Sequence, residues 1–142
     1  MQEAKDTALK IINESRVGTM ATMENNKPHT RYMTFFNDGF TLYTPTSRKT
    51  QKVDEVDANP YTHILLGYEG EGYGDEYVAI EGVVTKADDE SLKERMWHEQ
   101  MSMYFDGPDD PDLLLLKVEP TEILVMNKKG QEPAQVELNS GS

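Results

Sequence analysis

Hydrophobic and polar positions change period several times along the chain, and each change predicts an element. Ala8, Ile11 and Ile12 fall on one face at i, i+3, i+4 spacing and predict a helix over residues 4–15. Val17, Thr19, Ala21 and Met23 then alternate with Gly18, Met20 and Thr22, a strand pattern over 16–24, closed by the turn signal Asn25-Asn26-Lys27-Pro28. HTRYMTFF (29–36) is rich in strand formers, Asn37-Asp38-Gly39 reads as a hairpin turn, and FTLYT (40–44) returns. Residues 47–58 predict a short helix with Val53 and Val56 inward, stopped at Asn59-Pro60. YTHILLGY (61–68) and YVAIEGVVTK (77–86) predict two further strands around a glycine-rich acidic loop (69–76). Gly82 within the second marks a bulge or a close backbone approach. Asp88 or Asp89 caps a third helix whose apolar face is Leu92, Met96, Trp97, Met101 and Tyr104. After the acidic turns of 105–112, two strands are expected over 113–119 and 121–127, separated at Pro120.

About seven short strands with hairpin connections and three helices point to a mainly β domain, a small antiparallel barrel or sandwich with helices outside. The domain is expected over 1–127; residues 128–142 form a polar tail with little to bury and are expected to be disordered. No Gly-x-Gly-x-x-Gly follows a strand, which disfavours a dinucleotide-binding α/β fold. The longest apolar run, Leu113 to Leu116, cannot span a membrane, and the first residues lack a signal-peptide core, so a cytoplasmic protein is expected. The chain has no cysteine, which removes disulfides, thiolate metal sites and cysteine nucleophiles. With 14 Lys+Arg against 26 Asp+Glu, the net charge of −12 argues against nucleic-acid or anionic-lipid partners.

That charge is unevenly placed. Between Lys27 and Lys52 stand five cations (Lys27, Arg31, Arg48, Lys49, Lys52) and one acid, Asp38, whereas the rest of the chain is strongly acidic. The helix expected at 47–58 carries Arg48 and Lys49 in its first turn and Asp54, Glu55 and Asp57 near its end. The helix dipole favours the reverse, by about 0.3–1 kcal/mol per charge. A bound phosphate would relieve the clash, and Thr46 or Ser47 offers a cap and a hydroxyl to the same anion. These charges alone also fit a solvated helix paired with neighbouring acids. Arg31 tips the balance, because it lies in a strand of apolar and aromatic residues where an unpaired cation is costly.

The order Arg31-Tyr32-Met33-Thr34, then Leu42-Tyr43-Thr44, then Ser47-Arg48-Lys49 resembles the flavin-binding signature of the pyridoxamine 5′-phosphate oxidase-like split barrels. VGTMAT (17–22) and YVAIEGVV (77–84) are similar to that family's first and fifth strands. WHEQMSMYFDGPDDPD (97–112) and LLLLKVEPTEI (113–123) resemble its general stress protein 26 branch. The resemblance implies a six- to seven-stranded Greek-key split barrel, a homodimer, and FMN at the subunit interface, with FAD as the alternative. By position, Arg31, Arg48 and Lys49 would contact the phosphate, and Tyr32, Met33 and Thr34 would run along the ring and ribityl chain. Tyr43, Thr44 and Ser47 would contribute from the next strand. Trp97 is read as core at its helical spacing, with a place near the ring as the alternative. One departure stands out. The family oxidase has a lysine for the substrate phosphate five residues after its first arginine; Phe36 stands there here, which argues against oxidation of pyridoxine phosphate.

No catalytic acid or base can be named. His29, His63 and His98 lie on different elements, and no metal motif is expected; the acids of 106–112 read as turn formers. Two classes remain: a flavin-dependent oxidoreductase acting on a small molecule or electron donor, and a non-catalytic flavin-binding protein that stores flavin or senses stress. Haem binding on the same barrel is a weaker third.

Overall fold

The computed structural model describes residues 2–48, 59–68, 76–87, 89–126 and 132–138. The first helix, α1 (Gln2–Glu14), buries Ala4, Ala8 and Ile12 along one stripe. Eight strands follow among the described residues: β1 (Val17–Glu24), β2 (Lys27–Thr34), β3 (Phe36–Asp38), β4 (Thr41–Ser47), β5 (Tyr61–Leu66), β6 (Tyr77–Ala87), β7 (Leu113–Met126) and β8 (Ala134–Gln135). Between β6 and β7 lie α2 (Glu90–Met96) and a 3-10 turn (Glu99–Met103).

Every pairing is antiparallel, in the order β2-β1-β5-β6-β7-β4-β3, with β8 added to β7. This half-barrel with helices outside is the split-barrel architecture expected from the sequence. Asn25 and Asn26 turn β1 into β2 with φ of 52° and 67°, which two-residue hairpins need. The sheet interior, with α1 across β3, β6 and β7, holds one continuous core including Met20, Phe35, Leu42, Ile64, Ile80 and Ile123. Gly67 (φ +99°) lets β5 pass beneath α1; a Cβ there would collide with Ile11 Cγ2. A second cluster lies outside the barrel, where Tyr43, Leu113 and Leu115 are covered by Leu92, Met96, Trp97 and Phe105. Leu113–Leu116 is therefore buried on both faces of β7, which is why it reads as an unbroken apolar run. No helix among the described residues is long and apolar enough to cross a membrane.

Four expectations need correction. Residues 113–126 form one strand, not two: the β6 register shifts between Glu81 and Gly82, opposite Glu122 and Pro120. Thr121 is the extra residue of a bulge, which accommodates the missing N–H of Pro120 without ending the strand. At Gly82 a Cβ would stand 2.9 Å from the Glu119 carbonyl oxygen, so that glycine serves the close approach. The third helix, capped by Asp89, stops at Met96; Trp97 is extended (φ −61°, ψ 134°) and a 3-10 turn resumes at Glu99. The break lets Trp97 pack on the second cluster while Met101 is buried separately. The tail is also less idle than expected: β8 pairs with β7, the Val136 N–H donates to the Ile123 carbonyl (2.9 Å), and Val136 joins the main core. Its polar composition hid two apolar residues, Val136 and Leu138, that suffice to anchor it. Ser47 ends strand β4 rather than opening a helix, and the rest of the helix expected at 47–58, apart from Arg48, lies outside the described residues.

Candidate functional site

A cavity of about 660 Å³ opens where β1, β2, β3 and β4 meet the segment after α2. That size suits a small-molecule or cofactor site. Its sheet wall is Val17, Tyr32, Met33, Thr34 and Phe36, continued on β4 by Pro45, Thr46 and Ser47. The facing wall is Met101, Met103, Tyr104 and Phe105, and Asp112 closes one end.

On β2 the cavity takes residues from both faces, with Met33 reaching it from the core side. Tyr32 and Thr34 share the outward face of β2, opposite Thr19 and Val17 of β1. Although β2 and β4 are not ladder neighbours, the fully buried Thr44 hydroxyl donates to the Thr34 carbonyl at 2.7 Å and ties the two strands together beside the cavity. At the far end of β4, Ser47 Oγ donates to Asp112 Oδ2 (2.7 Å), the Arg48 N–H donates to the Asp112 carbonyl (3.0 Å), and Arg48 Nε donates to the Pro111 carbonyl (2.7 Å). The acidic loop is itself folded by Asp110, whose carboxylate accepts from the N–H groups of Asp106 (2.8 Å) and Asp112 (2.9 Å). These acids are turn formers, and no group of three or more His, Asp or Glu among the described residues gathers at metal-binding distance.

The residues singled out in the sequence divide. Tyr32, Met33, Thr34 and Ser47 converge on the cavity, and Thr44 braces it from behind. Tyr43 does not reach it; its ring is buried in the second cluster, because β4 alternation turns residue 43 away from the core face that holds Leu42 and Thr44. Arg31 is paired with Met20 on the other face of β2 from Tyr32, and its Nη1 donates to Thr22 Oγ1 (2.9 Å). Arg48 is exposed at the end of β4, held to the acidic loop, and Lys49 lies outside the described residues. Trp97 packs in the second cluster. His29 sits on the β1–β2 hairpin, 3.2 Å from Glu24.

Most of the facing wall was missed. The sequence pattern points Met101 and Tyr104 to a helix face and marks no site role for Met103, Phe105 or Asp112, yet all five line the cavity. A usable signal was present: MSMYF (101–105) carries more apolar residues than one helical stripe can bury. Met103 and Tyr104 are 77% and 79% exposed, and across the cavity Tyr32 is 79% exposed.

The cavity also opens onto an exposed sheet face. By register, Tyr32, Thr19, Leu65, Ala79 and Leu124 form a row across five strands, flanked by the exposed Tyr61.

Residues 4–127 match the family model described as pyridoxamine 5′-phosphate oxidase. The chain is 44% identical over 137 residues to general stress protein 26 of Bacillus subtilis (strain 168), covering 96% of this chain and 98% of the relative. Its structure superposes on the general stress protein 26 of Bacillus anthracis str. Sterne with a TM-score of 0.84 and 30% identity, over 94% of this chain and 98% of the other. A Listeria innocua protein described as a putative pyridoxamine 5′-phosphate oxidase gives a TM-score of 0.79 at 36% identity, over 87% of this chain and 98% of the other. On these likenesses the chain belongs to the pyridoxamine 5′-phosphate oxidase family, alongside its general stress protein 26 members.

Proposed function

We propose that this chain is a flavin-binding stress protein that holds FMN in the β1–β4 cavity and completes the site as a homodimer. One observation carries the reading: a cavity of about 660 Å³ is lined by aromatic rings and, towards one end, by the hydroxyl residues Thr46 and Ser47, with Arg48 next along the chain. Tyr32, Phe36, Tyr104 and Phe105 suit a planar heterocycle, and Thr34 and Thr46 suit the polyol chain. Ser47, Arg48 and Lys49 would receive the phosphate. Arg31 sits on the opposite face of β2 and would act there through Thr22 and the local field rather than from the cavity wall. FAD would need the same end to stay open for a second phosphate and its nucleoside.

Family membership supports the reading, and so does the exposure of Tyr32 and Leu65 on one sheet face. A second copy over that face would cover Tyr32 and Leu65 and close the cavity from the outside. When bound, FMN supplies the hydride and electron chemistry. The protein positions the ring between its two walls and excludes water from one side. Among the described residues Asp112 is the one carboxylate on the lining, and it already accepts from Ser47.

The test is titration of the purified protein with FMN, read by quenching of flavin fluorescence. Arg48→Glu with Lys49→Glu should weaken FMN at least about tenfold, since it replaces charge-assisted contacts with repulsion. A parent protein that takes up no FMN ends the flavin reading; equal affinity in the double variant ends the phosphate assignment. A haem absorption band without a flavin band would favour haem. NADPH oxidation by the FMN-loaded protein with an added acceptor separates an oxidoreductase from a storage protein.

A further inference from the structure

The end of the cavity assigned to the flavin phosphate is already held by an acid of this chain. Ser47 pairs with Leu113 at the end of the β4–β7 ladder, and Asp112 is the residue just before Leu113. The Asp112 backbone is fixed from both sides. Its N–H donates to Asp110 Oδ1 (2.9 Å), its carbonyl accepts from the Arg48 N–H (3.0 Å), and the Leu113 N–H donates to the Asp110 carbonyl (3.0 Å). The Asp112 carboxylate is held more lightly. Oδ2 accepts from Ser47 Oγ at 2.7 Å, and Oδ1, enclosed by protein, accepts no hydrogen bond among the described residues. An enclosed acceptor without a donor is costly, and more so when charged. A change of side-chain rotamer, with the backbone left in place, would release Ser47 and turn both oxygens out of that enclosure.

The neighbouring acids are placed differently. Asp110 gives both oxygens to backbone N–H groups, those of Asp106 (2.8 Å) and Asp112, and so folds the loop. Asp106 and Asp109 are exposed and off the cavity lining. Asp112 lines the cavity, and so does Ser47, which donates to its carboxylate. A serine hydroxyl has one proton to donate. Ser47 cannot give it to Asp112 and to a phosphate oxygen at once. A phosphate monoester carries a charge of about −1.5 to −2 near neutral pH. A carboxylate sharing its donor repels it.

We infer that the Asp112 carboxylate is a latch on this end of the cavity: it sits on Ser47 in the place of a phosphate oxygen, and a phosphate-bearing ligand displaces it by turning the side chain away. Asp112 thereby sets how far the cavity prefers a phosphorylated ligand to the same ligand without its phosphate. The latch keeps the Ser47 hydroxyl partnered when no ligand is bound, and it lowers the affinity for phosphate below what Ser47 and its cationic neighbours would otherwise give. The inference rests on the flavin reading for the identity of the ligand, but not for the contest between Asp112 and a phosphate.

Riboflavin and FMN differ only in the phosphate, so the pair isolates this end. Both are titrated into the parent, Asp112→Asn and Asp109→Asn, and read by flavin fluorescence. Asp112→Asn keeps the size and an acceptor for Ser47 while removing the charge. It should bind FMN at least about tenfold more tightly than the parent, with riboflavin within about threefold. Asp109→Asn removes the same charge from an exposed position on the same loop and should change neither by more than about threefold. A purely structural carboxylate gives the opposite sign, because loosening the Arg48 end weakens FMN. Unchanged or weaker FMN binding in Asp112→Asn overturns the inference. So does a gain shared by riboflavin, or one reproduced by Asp109→Asn. Inorganic phosphate is also titrated into the flavin-free parent and Asp112→Asn, read by ¹H–¹⁵N shifts of the Ser47 and Arg48 amides. It should bind the variant more tightly; equal affinity overturns the inference. Tighter phosphate binding in the variant, with no flavin taken up by either protein, overturns the flavin reading and leaves the latch standing. No phosphate and no flavin bound by either overturns both. If Asp112→Asn does not fold, Asp112→Ala replaces it, and failure of both makes the carboxylate a structural tie and overturns the inference.

Discussion

Thr44→Val is the most direct perturbation of the link between fold and cavity. Valine matches threonine in shape and strand preference, so the change removes the hydroxyl and little else. Thr44 is fully buried, and its hydroxyl donates at 2.7 Å to the carbonyl of Thr34, a cavity wall residue on a strand that β4 does not otherwise pair with. Removing a buried donor while leaving its acceptor costs about 1–3 kcal/mol. For a domain near this size that lowers the melting temperature by roughly 3–10 °C. The assay is thermal and urea unfolding of the parent and variant at one protein concentration, followed by FMN titration of both. Two-state urea curves should show a lower midpoint at unchanged slope, because the surface exposed on unfolding is the same. FMN affinity should also fall, since Thr34 lines the cavity and its carbonyl loses the partner that holds it. A melting temperature within about 1 °C of the parent would refute the claim that this bond ties the two strands. A destabilised variant with unchanged FMN affinity would confine the tie to stability.

Two further outcomes follow from packing. Gly67→Ala places a methyl against Ile11 at φ +99°, so it should destabilise by about 1–3 kcal/mol in the same melts; an unchanged midpoint would mean α1 does not press on β5 as described. Leu65→Glu, on a strand face where Leu65 is 38% exposed, should leave the fold intact and convert a dimer to a monomer in sedimentation velocity; a variant that sediments like a dimeric parent removes this face as the interface.

The sequence showed the strands more clearly than the site. Alternation in VGTMAT and YVAIEGVV, with turn residues at Asn25-Asn26, is local information, and both hairpin and strand signals are local. What it could not show depended on distant partners. Pro120 reads as a break until β6 is present to absorb the offset by a bulge at Glu81–Gly82. Tyr43 reads as a cofactor contact until α2 covers its face of β4, and Val136 reads as part of an idle tail until Ile123 accepts its N–H. Arg31 shows the limit of charge counting. It lies in the same positive window as Arg48, yet it donates to Thr22 near the hairpin end of β2, while the cavity takes Tyr32, Met33 and Thr34 from the strand's other end.

The two walls of the cavity are built differently, and that difference bears on what the site can discriminate. The sheet wall is tied by ladder pairs and by Thr44, so its shape follows the barrel. The facing wall is held by the buried Met101, whose carbonyl accepts from the N–H groups of Tyr104 (3.0 Å) and Phe105 (2.9 Å), and by Phe105, which packs on the second cluster. Beyond that anchor, Met103 and Tyr104 stand largely exposed and touch little of their own chain. Substitutions there change the surface offered to a ligand or a second copy at small cost to the core, whereas changes at Met33 or Phe36 disturb buried packing as well. Differences in ligand choice between this chain and its relatives are therefore expected to concentrate at positions 103 and 104. Exchanging Met103 and Tyr104 for alanine should shift the melting temperature by less than about 2 °C while changing FMN affinity, and a large loss of stability would show that this wall belongs to the core after all.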